Sequence, residues 1–166
     1  MKFRVEHTFR GITLADYEQL YFNEEFNNAL CTSVKLDRTL EHSEKNDGTL
    51  KRSVKVGPDR ELPAPAAKVI GAKRIEYTEH LEYTFGSFEG TWMTVSAIMT
   101  DKVDTHGRFG FEELPDGVLR WVEGDIKVKI FGVGKIVEKV VVADIEKSYE
   151  KAAGFTQKWI DNGGKA

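Results

Sequence analysis

The end of the chain constrains the fold most. From about residue 133 to residue 160, Ile136, Val137, Val140, Val141, Ile145, Tyr149, Ala152, Phe155 and Trp159 recur every third or fourth position on a charged background. This spacing predicts one helix with a single apolar stripe. At about 1.5 Å per residue, roughly 27 residues reach ~40 Å, the width of a small domain. Such a helix must lie across a sheet to bury its stripe.

The rest of the chain supplies that sheet. Phe3, Val5, His7 and Phe9 alternate with Lys2, Arg4, Glu6, Thr8 and Arg10, which predicts a half-buried strand ended by Gly11. Thr13 then caps a short helix over 13–22, and Asn23 starts a second over 24–32. Val34, Leu36, Arg38, Leu40 and His42 share one phase; Leu50, Arg52, Val54 and Val56 share the next. Asn46-Asp47-Gly48 between them reads as a hairpin turn. Residues 57–72 form a structured connection, with Pro65 in the first turn of a short helix that Gly71 ends. Ile75, Tyr77, Glu79, Leu81, Tyr83 and Phe85 mark another strand, and Gly86 to Gly90 turns the chain. Trp92 to Met99 alternates, but its inward phase is open. Asp101 to Gly107 reads as a polar loop, Phe109 and Phe111 as a strand, Pro115-Asp116-Gly117 as a tight turn, and 118–130 as a long last strand.

Hairpin-length links between consecutive strands mean an antiparallel sheet. The expected class is α+β: a curved seven-stranded antiparallel sheet around the C-terminal helix, with two short helices after the first strand. Residues 1–166 form a single domain. At this length a chain buries roughly 70% of its unfolded surface, enough for a core with a cavity in it.

The element order and the helix start Gly134-Lys135-Ile136-Val137-Glu138-Lys139-Val140 resemble the START-like, or helix-grip, superfamily. Leu62-Pro63 through Val69-Ile70-Gly71, followed by Glu76-Tyr77-Thr78-Glu79, is similar to a bacterial START-like branch of unassigned function. The chain departs from the pollen-allergen branch, because Lys45-Asn46-Asp47-Gly48-Thr49 carries one glycine where that branch has a glycine-rich loop. No functional residue is transferred from it. The resemblance implies a lipid, fatty acid or polyketide-like guest between sheet and helix. Its runner-up implication is an enzyme, a cyclase, aromatase or dehydratase using the same space.

His7, Arg38, Arg52, Glu79 and Arg120 interrupt apolar strand phases. If those phases face inward, the charges must pair or face a hydrated cavity, since an unpaired buried charge costs several kcal/mol. The other possibility is that Arg38 and Arg52 snorkel past the sheet rim into water. The set holds one acid against three arginines, which favours an anionic or strongly hydrogen-bonding ligand group. Arg38, Arg52, Glu79 and Arg120, with Tyr77, Tyr83, Phe109, Phe111, Val141 and Phe155, are the expected ligand contacts. The aromatics among them serve as core or as cavity lining; pattern alone leaves this open. A His7–Glu79 acid–base pair would serve the enzyme alternative.

Other signals are negative. With 24 basic and 27 acidic residues, formal charge −3, the chain is no bulk-charge nucleic-acid binder. Cys31 alone excludes an intramolecular disulfide and a multi-cysteine zinc site. Asp101, Asp104 and His106 lack a calcium-loop spacing, and Gly132-Val133-Gly134-Lys135 lacks the phosphate-loop pattern. No metal, cofactor or catalytic residue is expected. Without an apolar leader at Met1–Glu6, the expected location is cytoplasmic. Residues 62–70 are either a loop packed as a cap on the end of the sheet or a lid that gates the space or touches a membrane or partner.

Overall fold

The computed structural model describes residues 1–59 and 61–164. The chain runs β1 (Lys2–Arg10), α1 (Leu14–Tyr21), α2 (Glu24–Ser33), β2 (Leu36–Asn46), β3 (Thr49–Pro58), α3 (Ala64–Ile70), β4 (Tyr77–Thr84), β5 (Glu89–Ser96), β6 (Val103–Leu114), β7 (Gly117–Val128) and α4 (Gly134–Asp161). All seven strands form one antiparallel sheet in the order β1-β7-β6-β5-β4-β3-β2. The first two strands are therefore the two edges, and α1 and α2 carry the chain from one to the other.

Local chemistry accounts for the element ends. The Thr13 hydroxyl accepts from the Asp16 N–H at 3.2 Å, and the Asn23 side chain from the Phe26 N–H at 2.8 Å. Asp47 and Gly48 both have positive φ, 50° and 79°, the backbone of a tight hairpin turn between β2 and β3. Gly71 closes α3 in the left-handed region. Helix α4 packs on β7 and β1 and touches α2 and α3. Its start is clamped to the end of β7. A side chain on Gly134 would meet the Val128 carbonyl oxygen at 2.1 Å. The buried Glu138 carboxylate accepts from the Val128 N–H at 3.0 Å and from Lys135 Nζ at 3.0 Å.

Some segments depart from the sequence reading. Residues 103–107 belong to β6, so only the first part of the expected polar loop is a turn. Asp104, His106 and Arg108 face outward and Val103, Thr105 and Gly107 inward, an alternation without large apolar residues to announce it. In β5, Trp92, Thr94 and Ser96 face inward while Met93 and Val95 are exposed. Val34 caps α2 and does not begin β2.

The core fills one half of the space under the sheet. Tyr17, Tyr21 and Phe22, from α1 and its C-terminal cap, pack against Phe9, Tyr83, Phe85, Phe109 and Phe111, with ring centroids 4.6–5.9 Å apart. The buried Glu18 carboxylate braces this cluster. It accepts from the Tyr83 hydroxyl at 2.6 Å and the Gly86 N–H at 2.9 Å.

Candidate ligand-binding site

The other half of the space is open. A cavity of about 370 Å³ lies between the concave face and α4 and extends to α3 and the 97–102 turn. Its apolar wall includes Val54, Val56, Ile126, Val128, Val137 and Val141. Leu62, Pro63 and Ile70, around α3, lie at one end.

Of the expected contacts, the structure brings Arg38, Arg52, Tyr77, Glu79, Arg120 and Val141 to this cavity. Tyr83, Phe109 and Phe111 stand apart, within the aromatic cluster, because Tyr21 and Phe22 supply the rings that cover them. Phe155 packs on Phe26 and Trp159. The sequence reading missed Trp92 and Ser96 as lining, along with Tyr21, Tyr149 and Cys31. The first two sit on the strand whose inward phase the sequence leaves open, and Tyr21 and Tyr149 belong to helix stripes.

Arg38 does not reach water past the rim: its side chain is 5% exposed. Its guanidinium grips Glu24 through both terminal nitrogens, Nη2–Oε1 being 3.0 Å, and donates to Asn28 Oδ1 at 3.0 Å. That grip holds the Glu24 carboxyl below the usual carboxylate range. Arg52, on the neighbouring strand, is 7% exposed and poorly bonded. Glu79 Oε1 lies 3.8 Å from its Nη2 and Glu24 Oε1 3.9 Å from its Nη1, both beyond hydrogen-bond distance.

Arg120, 5% exposed, donates to His7 Nδ1 at 2.9 Å and lies over the rings of Tyr149 and Phe9, at 5.0 and 5.5 Å. Arginine only donates, so His7 Nδ1 is the acceptor and Nε2 carries the proton offered to Glu150 Oε2, 3.0 Å away. His7 therefore pairs with Glu150 and Arg120, and Glu79 with Arg52; the His7–Glu79 acid–base pair is not formed. Burial pushes the Tyr21 hydroxyl up to about 12, Glu79 adds to the rise, and Arg120 and Arg52 oppose it. Burial likewise raises Tyr149, with Tyr21 and Glu79 adding and Arg120 opposing. The tyrosines, both arginines and Glu79 thus act on one another in a single space.

Five buried side-chain atoms among the described residues have no hydrogen-bond partner: Arg52 Nε and Nη1, Trp92 Nε1, Ser96 Oγ and Arg120 Nε. All belong to residues that line this cavity. Buried polar groups are almost always bonded, so these atoms, closed off from the cavity's free space though their residues line it, hold bonding capacity that is unmet.

A family model described as a protein of unknown function, DUF2505, matches residues 4–160. The chain belongs to the DUF2505 family. No curated protein matches it. Among solved structures, it is similar to TTHA0849 from Thermus thermophilus, with TM-score 0.67 and 11% identity over 99% of this chain and 100% of that one. It is similar to the Zhui aromatase/cyclase from a Streptomyces species, with TM-score 0.65 and 10% identity over 100% and 98%. A START superfamily protein from Mycobacterium smegmatis matches with TM-score 0.52 and 15% identity over 96% and 97%. At these identities the likeness is one of fold, and this DUF2505 chain has the START-like fold. No helix among its described residues is long and apolar enough to cross a membrane.

Proposed function

We propose that the chain binds a hydrophobic or amphipathic small molecule, such as a lipid, fatty acid or polyketide-like compound, between the sheet and α4. The observation that carries this reading is a mostly apolar cavity whose lining includes the four residues, Arg52, Trp92, Ser96 and Arg120, that hold the five orphan polar atoms. The volume supports it, since small-molecule pockets run from about 300 to 1,000 Å³ and are mostly apolar with a few placed polar groups. Arg38, Arg52, Tyr77, Glu79, Arg120 and Val141 are the contacts proposed. The guest enters past α3, and residues 62–70 are the segment proposed to touch a membrane in passing.

Native mass spectrometry of the purified chain tests the reading. A retained small molecule, lost when Ser96→Phe fills the cavity, is the supporting result. A guest-free spectrum that stays so after incubation with a fatty-acid mixture refutes it.

The fold shared with an aromatase/cyclase, and buried tyrosine hydroxyls held protonated beside Glu79, favour a second reading as a cyclase. Turnover of a poly-β-keto thioester, lost in Tyr149→Phe, would select it.

A further inference from the structure

Resting on that cavity reading, we infer that the guest carries an acidic oxygen group, a carboxylate or a phosphate, bound by Arg120 and Arg52. Its apolar part runs towards α3. The unmet bonding capacity of the lining is almost all donor. Arginine and indole nitrogens offer protons and accept none, so four of the five orphan atoms call for an acceptor on the guest. A guest whose polar group is only a donor, such as an alkylammonium ion, leaves them unbonded.

The charge distribution separates an acid from a neutral acceptor. Arg52 and Arg120 are buried, whereas the carboxylates on the same lining are not. Glu61 and Asp144 are exposed, and the Glu79 side chain is 31% exposed. Glu24, the other acid near Arg52, is already gripped by Arg38. Among the described residues no carboxylate forms an ion pair with Arg120; its direct polar partner is His7, and Glu150 stands beyond at 80% exposure. A guanidinium keeps its charge throughout the accessible pH range, so the buried end of the cavity stays positive. A ketone or alcohol would bond the N–H groups but leave the Arg120 charge without an anionic partner. An acidic group does both, through charge-assisted bonds. Val56 stands near the end of β3 that leads into the α3 connection, and Val128 and Val137 flank the β7–α4 junction, which sets the direction of the tail.

Calorimetric titration of the full chain with dodecanoate, dodecyl phosphate and dodecanol tests this. The three share a tail and differ in headgroup. Either or both anions should bind about tenfold or more tightly than the alcohol, the size of a hydrogen bond to a charged group. Which anion leads identifies carboxylate or phosphate. Arg120→Gln should collapse the ratio to within about threefold. If that variant does not fold by circular dichroism, Arg52→Gln is read in the same way. Dodecanol matching both anions overturns the inference and leaves the cavity reading standing. A tenfold preference that survives in both variants places the acid elsewhere and also overturns it. No binding by any of the three refutes the inference and the cavity reading together.

Discussion

Replacing Arg52 with methionine should make the protein more stable. The guanidinium is buried, two of its nitrogens have no hydrogen-bond partner, and its nearest carboxylate oxygens are 3.8 and 3.9 Å away. Exchanging buried ionic groups for apolar side chains of similar volume is neutral or stabilising by about 1–4 kcal/mol, provided no partner charge is left buried and unpaired. Three contacts are lost. Two are ion pairs with half-exposed acids, worth roughly 0–1 kcal/mol each. The third is a cation–π contact with Phe22 at 5.8 Å, worth about 0.5–1 kcal/mol. Glu79 and Glu24 keep access to water, so neither becomes a stranded buried charge.

The balance is about 1 kcal/mol in favour of the variant, or roughly 2–4 °C in Tm for a chain of this size. Arg38→Met, one strand away, should act in the opposite sense. It removes a grip on Glu24 and a bond to Asn28, and should cost about 1 kcal/mol. Both are read by thermal unfolding of guest-free protein followed by circular dichroism. A Tm for Arg52→Met several degrees below wild type would refute the reasoning. Arg52 would then be a structural partner of the two acids, and its orphan nitrogens no mark of a binding site.

Three further outcomes follow from the fold. Glu18→Ala strands the Tyr83 hydroxyl and the Gly86 N–H beneath the aromatic cluster, and urea unfolding should show a loss of roughly 3 kcal/mol. A side chain on Gly107 would meet the Glu123 carbonyl oxygen at 1.9 Å and Trp92 at 2.8 Å, so Gly107→Ala should lower stability by about 3 kcal/mol or more; a change under ~1 kcal/mol contradicts the packing described for Trp92. The Val128 N–H, then Lys135 and the amino terminus, hold the Glu138 carboxyl below its ordinary value. Its contribution is therefore present above the ordinary glutamate range and lost as pH falls through the depressed value, so Glu138→Gln should flatten the acid side of a stability–pH curve.

Sequence pattern is informative where burial and periodicity agree. The stripe of α4, the capping residues Thr13 and Asn23, and the β2–β3 turn each carry a local signal. Arg52 and Arg120 are legible for the opposite reason, as charges standing in apolar phases. The start of β6 is hidden because its inward positions are Val103, Thr105 and Gly107, with little apolar bulk. In β5 the more apolar Met93 and Val95 face out, and Thr94 and Ser96 face the cavity, so hydrophobicity points the wrong way there. Whether Tyr83, Phe109 and Phe111 line a pocket or fill a core depends on the rings of Tyr21 and Phe22, more than 60 residues before Tyr83 in the chain. No local pattern carries such a contact.

Cys31 offers the most direct measurement of whether a guest occupies the space under the sheet. Its thiol borders the cavity, and burial raises its pKa. The rate of maleimide alkylation at Cys31 is followed while dodecanoate is titrated in. The expected result is a rate that falls in step with calorimetric saturation. An unchanged rate at saturation would put the guest outside the cavity and contradict the binding proposal.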